Sequence, residues 1–168
     1  MKQPSSQQIE IKEITGERDL KTSVRVVRQS FKTVLRAYQL NRQNCPTSAA
    51  FIDLARLNEL KAKGARFFGL FAYRKLAGFV TVEKASDSLY YLEKLAVMPK
   101  YRHRGFGRAL VQHALAHIKG ENGKTVSIGI IEENAILKKW YQELGFVEEE
   151  SKQYTHLPFT VCFMLKEL

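Results

Sequence analysis

The residues best suited to chemistry lie in "MPKYRHRGFGRALVQHALAHI", Met98 to Ile118. Gly105 and Gly107 sit among Lys100, Arg102, Arg104 and Arg108, and a long amphipathic run comes directly after them. The first amides of a helix have no partner inside it and point outward, and with the helix dipole they attract an anion. Glycine lets a bulky diphosphate approach the backbone without meeting a Cβ. A basic, glycine-containing turn that opens a helix therefore suits a phosphate compound. One glycine would serve an ordinary loop-to-helix turn. Two of them, placed after Arg102 and flanked by more arginine, favour the anion. Lys100, Arg104 and Arg108, each taken singly, also read as a solvated basic face.

Two nucleotide motifs fail at this point. G-x-G-x-x-G needs a third small residue for close helix packing, and Leu110 stands in that place. The P-loop pattern G-x-x-x-x-G-K-[ST] is absent. What remains is R-x-x-G-x-G, Arg102 to Gly107, behind a strand-like stretch and Pro99. This resembles the acetyl-CoA loop of the GNAT family of N-acetyltransferases, [QR]-x-x-G-x-[GA]. Downstream, "NAILKKWYQELGF" (Asn134 to Phe146) resembles the family's other cofactor segment, which carries an asparagine, a tyrosine and a closing glycine-phenylalanine pair.

The resemblance implies an α/β fold, a mixed and largely antiparallel sheet flanked by helices, from about Ile9 to the C-terminus. It implies direct transfer of an acetyl group from acetyl-CoA to a primary amine of a small molecule or protein, with no metal. It places the cofactor at Leu95, Ala96 and Val97, at the turn Arg102, His103, Arg104, Gly105, Phe106, Gly107 and Arg108, and at Asn134 and Tyr141. In the turn, main-chain amides rather than a particular basic side chain take the diphosphate. Backbone groups of Leu95 to Val97 hold the acetyl-pantetheine arm in strand-like fashion.

The reaction makes its own demands. The attacking amine must be neutral, so a base or a water chain must accept a proton. The developing oxyanion needs hydrogen-bond donors, and the departing thiolate gains from an acid. Tyr141 occupies the family's tyrosine position and is the candidate acid. A phenol of pKa ~10 protonates a thiolate of pKa ~8.5 only against a small adverse gradient. Tyr141 also reads as a packing aromatic beside Trp140. Asn134 reads as a cofactor ligand or as a helix N-cap. Glu93 is the candidate base: in an extended strand Tyr91, Glu93, Leu95 and Val97 share one side. It reads equally as an exposed glutamate facing Lys94 or solvent. His113 and His117 are four apart but lack the H-E-x-x-H pattern, and a solvated face suits them better than a metal. His156 precedes Leu157-Pro158 and reads as a loop residue.

These residues need elements to position them. Residues 1–8 read as a loose arm before a single domain, 9–168. "IEIKEI" alternates as a half-buried strand. Leu20, Val24, Val27, Phe31, Val34, Leu35 and Tyr38 form one helical stripe, predicting a helix from about Glu17 to Gln39. Ser48 is predicted to cap a second helix that ends at Gly64. "RFFGLFAYR", "LAGFVTVEK" and "SLYYLEKLAVM" read as a strand meander. A helix over about 105–120, the strand "KTVSIGII", a helix closed by Gly145 and two final strands complete β-α-α-β-β-β-α-β-α-β-β.

The chain has 168 residues, 45% of them hydrophobic and 26% charged, which suits a globular domain. Its net charge of +10 favours an anionic ligand. A nucleic-acid reader would carry a reader motif or an aromatic platform; neither is found, so no nucleic-acid partner is expected. A cofactor-binding sensor without turnover is the other alternative, and it predicts loss of the tyrosine that is present at 141. The polar start has no apolar signal core, and no apolar run reaches spanning length. Cys45 and Cys162 form no C-x-x-C. The expectation is a cytoplasmic protein with reduced thiols and no membrane partner, either monomer or homodimer. Tyr38, Arg42, Tyr154 and Phe159 lie where this family shapes its acceptor groove, and they name no acceptor.

Overall fold

The computed structural model describes residues 8–168, so all of the expected arm but Gln8 lies outside the described residues. The alternating start forms β1 (Ile9–Glu13), and α1 (Glu17–Ala37) comes next. A 3-10 turn (Ala49–Phe51) precedes α2 (Leu54–Ala62). The meander is β2 (Arg66–Ala72), β3 (Lys75–Lys84) and β4 (Leu89–Val97). A second 3-10 turn (Pro99–Tyr101) leads into α3 (Phe106–Gly120). Then come β5 (Thr125–Ile131), α4 (Ala135–Glu143), β6 (Val147–Gln153) and β7 (Thr160–Glu167). The order is the one the sequence pattern predicts.

The strands make one sheet in the order β1-β2-β3-β4-β5-β7-β6. Every pairing is antiparallel except β4 with β5. A hydrophobic core lies on each face. Under α3 and α4 it holds Phe68, Leu70, Leu92, Leu110, Ile118, Ile128 and Tyr141. Under α1 and α2 it holds Leu20, Val27, Leu57, Phe67, Phe79 and Ala96. Leu110, Val111, Ala114 and Ile118 of α3 are fully buried, and the large members of that stripe each contribute about 1.5–3 kcal/mol of burial.

Among the described residues all four α-helices stop in one way. Gln39, Gly64, Asn122 and Gly145 take positive φ, and the amide one residue later reaches back to the carbonyl five earlier: Leu40 to Leu35, Ala65 to Leu60, Gly123 to Ile118 and Phe146 to Tyr141. This is the left-handed stop that satisfies orphan carbonyls. It ends α1 at Ala37, two residues before the predicted end at Gln39, because Gln39 itself supplies the left-handed residue at φ 53°. The helix predicted from Ser48 is also corrected. Ser48 caps only the short turn Ala49–Phe51, through the Ala50 amide at 3.2 Å. Ile52 leaves the helical region, and Asp53 caps α2 through the Arg56 amide at 2.8 Å.

One irregularity matters for the site. Thr81 pairs with Glu93 while Phe79 pairs with Ala96, so β4 carries an extra residue there. Lys94, at φ 52°, is that bulge. Such a bulge reverses the sidedness of the residues after it. Tyr90 and Leu92 belong to the core under α3, whereas Ala96 belongs to the core under α1. Leu95 and Val97 pack with the α3-side core. The expectation that Tyr91, Glu93, Leu95 and Val97 share one side is therefore overturned: the bulge separates the first two from the last two.

Candidate active site

The parallel pair β4–β5 holds for only three registers, Leu89 to Tyr91 against Thr125 to Ser127. Beyond Tyr91 the two strands part, and β5 stays paired with β7 along its length. A cleft of about 1010 Å³ opens between them. Its walls come from Tyr91 to Leu95 of β4, Ser127 to Ile131 of β5, and Asn134, Leu137 and Tyr141 around α4. Phe31 and Val34 of α1, Cys45, and Tyr154, His156 and Phe159 before β7 line it further out. The structure thus brings Tyr141, Glu93, Leu95 and Asn134 to one cavity. Ala96, Val97 and the 102–108 turn are not among its lining residues. Of the residues placed in an acceptor groove, Tyr154 and Phe159 line the cleft, while Arg42 stacks on Phe51 at 4.4 Å.

The turn has the properties an anion asks for. Gly105 is left-handed at φ 78° and serves as N-cap of α3, with no side-chain cap. The first intrahelical bond runs from the Ala109 amide to the Gly105 carbonyl at 3.0 Å. The amides of Phe106, Gly107 and Arg108 therefore have no partner within the helix. The other α-helices neutralise this end. Asp53 caps α2, Asn134 caps α4, and Glu17 and Asp19 stand in the first turn of α1. Only α3 of these four has neither a cap nor an acid in its first turn. His103 is also left-handed, at φ 61°, and with Gly105 it curves the backbone before the helix. His103, Arg104 and Arg108 are exposed, while the Phe106 side chain is core, leaving its main chain for a ligand. A diphosphate fits this end: it offers orphan amides and a helix dipole beside exposed cations, and the first turn of α3 carries no carboxylate.

Arg102 does something the sequence did not disclose. Its guanidinium donates to the Val97 carbonyl at 3.1 Å, to Thr33 Oγ1 at 3.2 Å and to the Ser30 carbonyl at 2.9 Å. The side chain ties the end of β4 to α1. Burial lowers its pKa from the usual guanidinium value. Its main-chain amide donates to the Pro99 carbonyl at 3.3 Å, so that amide and three of the five guanidinium N–H groups are already committed. The Val97 carbonyl is likewise taken.

The two sequence motifs meet at Gly107. A Cβ there would lie 3.4 Å from Trp140 Cζ2 and 3.8 Å from Val97 Cγ2. Trp140 packs edge-on against Tyr141 at 4.9 Å. Tyr141 is buried at 5% exposure, and its ring meets Phe146 at 5.4 Å. Phe146 is the residue whose amide closes α4 on the Tyr141 carbonyl, at 3.1 Å. The Tyr-x-x-x-Gly-Phe spacing therefore has a mechanical reason. Gly145 supplies the left-handed stop, and the stop seats Phe146 on the tyrosine. Burial pushes the Tyr141 phenol well above its usual range. Among the described residues its hydroxyl has no hydrogen-bond partner.

Asn134 is an N-cap, accepting from the Leu137 amide at 3.1 Å, and it also lines the cleft. Glu93 is half-exposed and paired with Lys94 Nζ at 2.9 Å. Lys94, the neighbour that the sequence allowed Glu93 to face, is the more buried partner and stands on the bulge. On the neighbouring strand Thr81 lies opposite Glu93, with a buried hydroxyl that lacks a partner among the described residues. Glu83, next on that face, has its carboxyl raised by burial and by Glu93. Among the described residues, Glu132, Glu148 and Cys162 could approach a metal by spacing. Lys138 Nζ sits on both carboxylates, at 2.8 and 3.5 Å, and Ser151 donates to Glu132 at 2.6 Å. That group is an ion-pair network pinning the start of α4 to β6. His113 and His117 both pack on the Phe68 ring, each at 4.9 Å, away from the cleft.

The sequence profile of the Acetyltransferase (GNAT) family matches residues 31–146. Among solved structures, the PaiA N-acetyltransferase of Thermoplasma acidophilum in complex with coenzyme A superposes with a TM-score of 0.75 at 21% identity, covering 96% of this chain and 99% of its own. The ribosomal-protein-S18-alanine N-acetyltransferase of Escherichia coli gives 0.73 at 19% identity, covering 95% and 94%. A GNAT family acetyltransferase of Elizabethkingia anophelis with acetyl-CoA bound gives 0.65 at 14% identity, covering 95% and 98%. No curated protein matches the chain. Among the described residues no helix is long and apolar enough to cross a membrane.

Proposed function

The chain belongs to the GNAT acetyltransferase family, and from that premise we propose that it transfers the acetyl group of acetyl-CoA to a primary amine by direct attack in a ternary complex. One observation carries this reading: Tyr141 and Glu93 line one cleft, which opens where β4 and β5 part, and Trp140 of the same helix packs on the uncapped start of α3.

Acetyl-CoA would supply the acyl group as an activated thioester. The α3 amides of residues 106–108 would hold its diphosphate, with Arg104 and Arg108 adding screened charge. The open edge of β4 beyond Tyr91 offers backbone groups to a strand-like arm, in keeping with the role expected of Leu95 to Val97. Asn134, its Oδ1 committed to the cap, has its amide nitrogen left as a donor. Arg102 acts by position, fixing the end of β4 against α1.

The proton moves at two atoms. Glu93 accepts from the attacking ammonium, directly or through water, once its carboxylate releases Lys94. Tyr141 Oη donates to the departing sulfur. Its raised pKa enlarges the nominal gradient against the thiolate, but the same desolvation raises a thiol's pKa as well, so the two move together. The test is release of free thiol from acetyl-CoA across a panel of primary amines, with cofactor binding followed by calorimetry. Binding with no thiol release for any amine, peptide N-termini included, would leave the sensor reading in its place.

A further inference from the structure

The outer face of α1 carries Arg18, Lys21, Arg25, Arg28, Lys32 and Arg36. At 3.6 residues per turn all six fall within an arc of about 80°, one cation every three or four residues over a length of about 27 Å. Five of the six are exposed and Arg28 is half-buried. Among the described residues only Lys21 has an acidic partner, Glu17 at 2.7 Å. No acidic residue occurs between Asp19 and Asp53. The opposite face of the helix, with Leu20, Val26 and Val27, is buried in the core. This line of charge takes no part in the cleft, and cofactor binding does not explain it.

We propose that the stripe is a docking surface for nucleic acid, gripping the phosphate backbone without reading bases. Charge complementarity selects this occupant. A regular line of arginine and lysine matches a line of phosphates, and such contacts position a strand without needing a sequence-reading motif. A protein partner fits less well, because the centre of a protein interface is desolvated, apolar and depleted in charged residues. Among the described residues none of the exposed large hydrophobic side chains, Ile9, Tyr73, Tyr91, Ile136 and Val147, lies on α1. A membrane surface fits less well too, because the helix has its apolar face in the core and nothing to insert. The surface is independent of the acetyltransferase reading, although Phe31 and Val34 of the same helix line the outer end of the cleft.

Fluorescence anisotropy with labelled single-stranded RNA and duplex DNA of about 20 units, titrated against salt, tests the proposal. At ~0.7 counterions per phosphate, six contacts give a slope of log K against log salt of about −4 on the single strand. The triple variant Arg25→Gln, Lys32→Gln, Arg36→Gln should flatten that slope by about 2 and weaken binding at least ~10-fold at physiological salt. Arg25→Lys with Arg36→Lys, which keeps the charge, should retain binding and guards against a folding artefact. Saturating coenzyme A should not displace the oligonucleotide. Any of four results would overturn the proposal: no binding at low salt, an unaltered triple variant, displacement by coenzyme A, or sedimentation with phosphatidylserine vesicles in place of oligonucleotide binding.

Discussion

At Tyr141 the property that matters is the protonation state. Burial holds its phenol above the ordinary range, so the folded protein binds this proton more tightly than the unfolded chain. The stability linked to it is present below the ordinary phenol pKa of ~10 and is lost only as pH rises beyond it. An acid of this kind stays loaded through neutral and mildly alkaline pH, so turnover should show no alkaline fall from Tyr141 below about pH 10. Tyr141→Phe keeps the ring against Trp140 and Phe146 and removes the donor. With chemistry limiting, kcat should fall about 10²–10⁴-fold while calorimetric affinity for coenzyme A stays level. Equal thiol release by parent and variant would end the acid role. Glu93 faces a sharper choice. As a base, its replacement by Gln should lower kcat by a similar factor. As a mere partner of Lys94, the loss should be only the ~0.2–1 kcal/mol of an exposed ion pair, read in the melting midpoint with kcat unchanged. The sequence could nominate both residues from their positions in a pattern. Lys94 was legible as a neighbour that Glu93 could face, and the ion pair bears that reading out, but the bulge on which Lys94 stands is nothing that "LEKLA" announces.

At the scale of elements, helix ends carried most of the legible signal, and the misses lie there too. Gly64 and Gly145 could be read as stops because glycine takes positive φ without penalty. Gln39 and Asn122 perform the same stop without glycine, which is why α1 ended earlier than its apolar stripe suggested. Ser48 and Asp53 both look like caps, and only the fold decides that one begins a single turn and the other a helix. Arg102 was legible as part of a motif but not as a tie to Ser30 and Thr33, residues about 70 positions away in the chain. The uncapped start of α3 yields a prediction in which stability and binding move apart. Arg108→Glu places a carboxylate in the first turn, where it should stabilise the helix by about 0.3–1 kcal/mol. The same charge opposes a diphosphate and should weaken coenzyme A by about 10-fold or more. A raised melting temperature with unchanged affinity would remove the diphosphate from this helix end.

For the whole molecule, the sheet that binds both layers of helices is continuous at β4–β5 through three registers only. On one side β1 to β4 form a meander; on the other β5, β7 and β6 form a second antiparallel set. Alternation in "IEIKEI" and aromatic and β-branched runs between short polar turns made the meander legible in the sequence. The parting between the two sets was not, since it depends on a bulge in one strand and on pairings between residues far apart. A ligand seated in that parting would act as a clasp between the two sets. Amide hydrogen exchange should register it: coenzyme A should slow exchange along residues 92–97 of β4, and protection on the far side of the meander, in β1, should change little. If instead the whole chain gains protection uniformly, the cofactor is stabilising the fold globally and the parting is not where it sits. The narrow seam also sets where the molecule yields first. Opening that costs less than full unfolding should begin at the unpaired edge of β4, so the region built to receive a ligand is the one that breathes most readily without it.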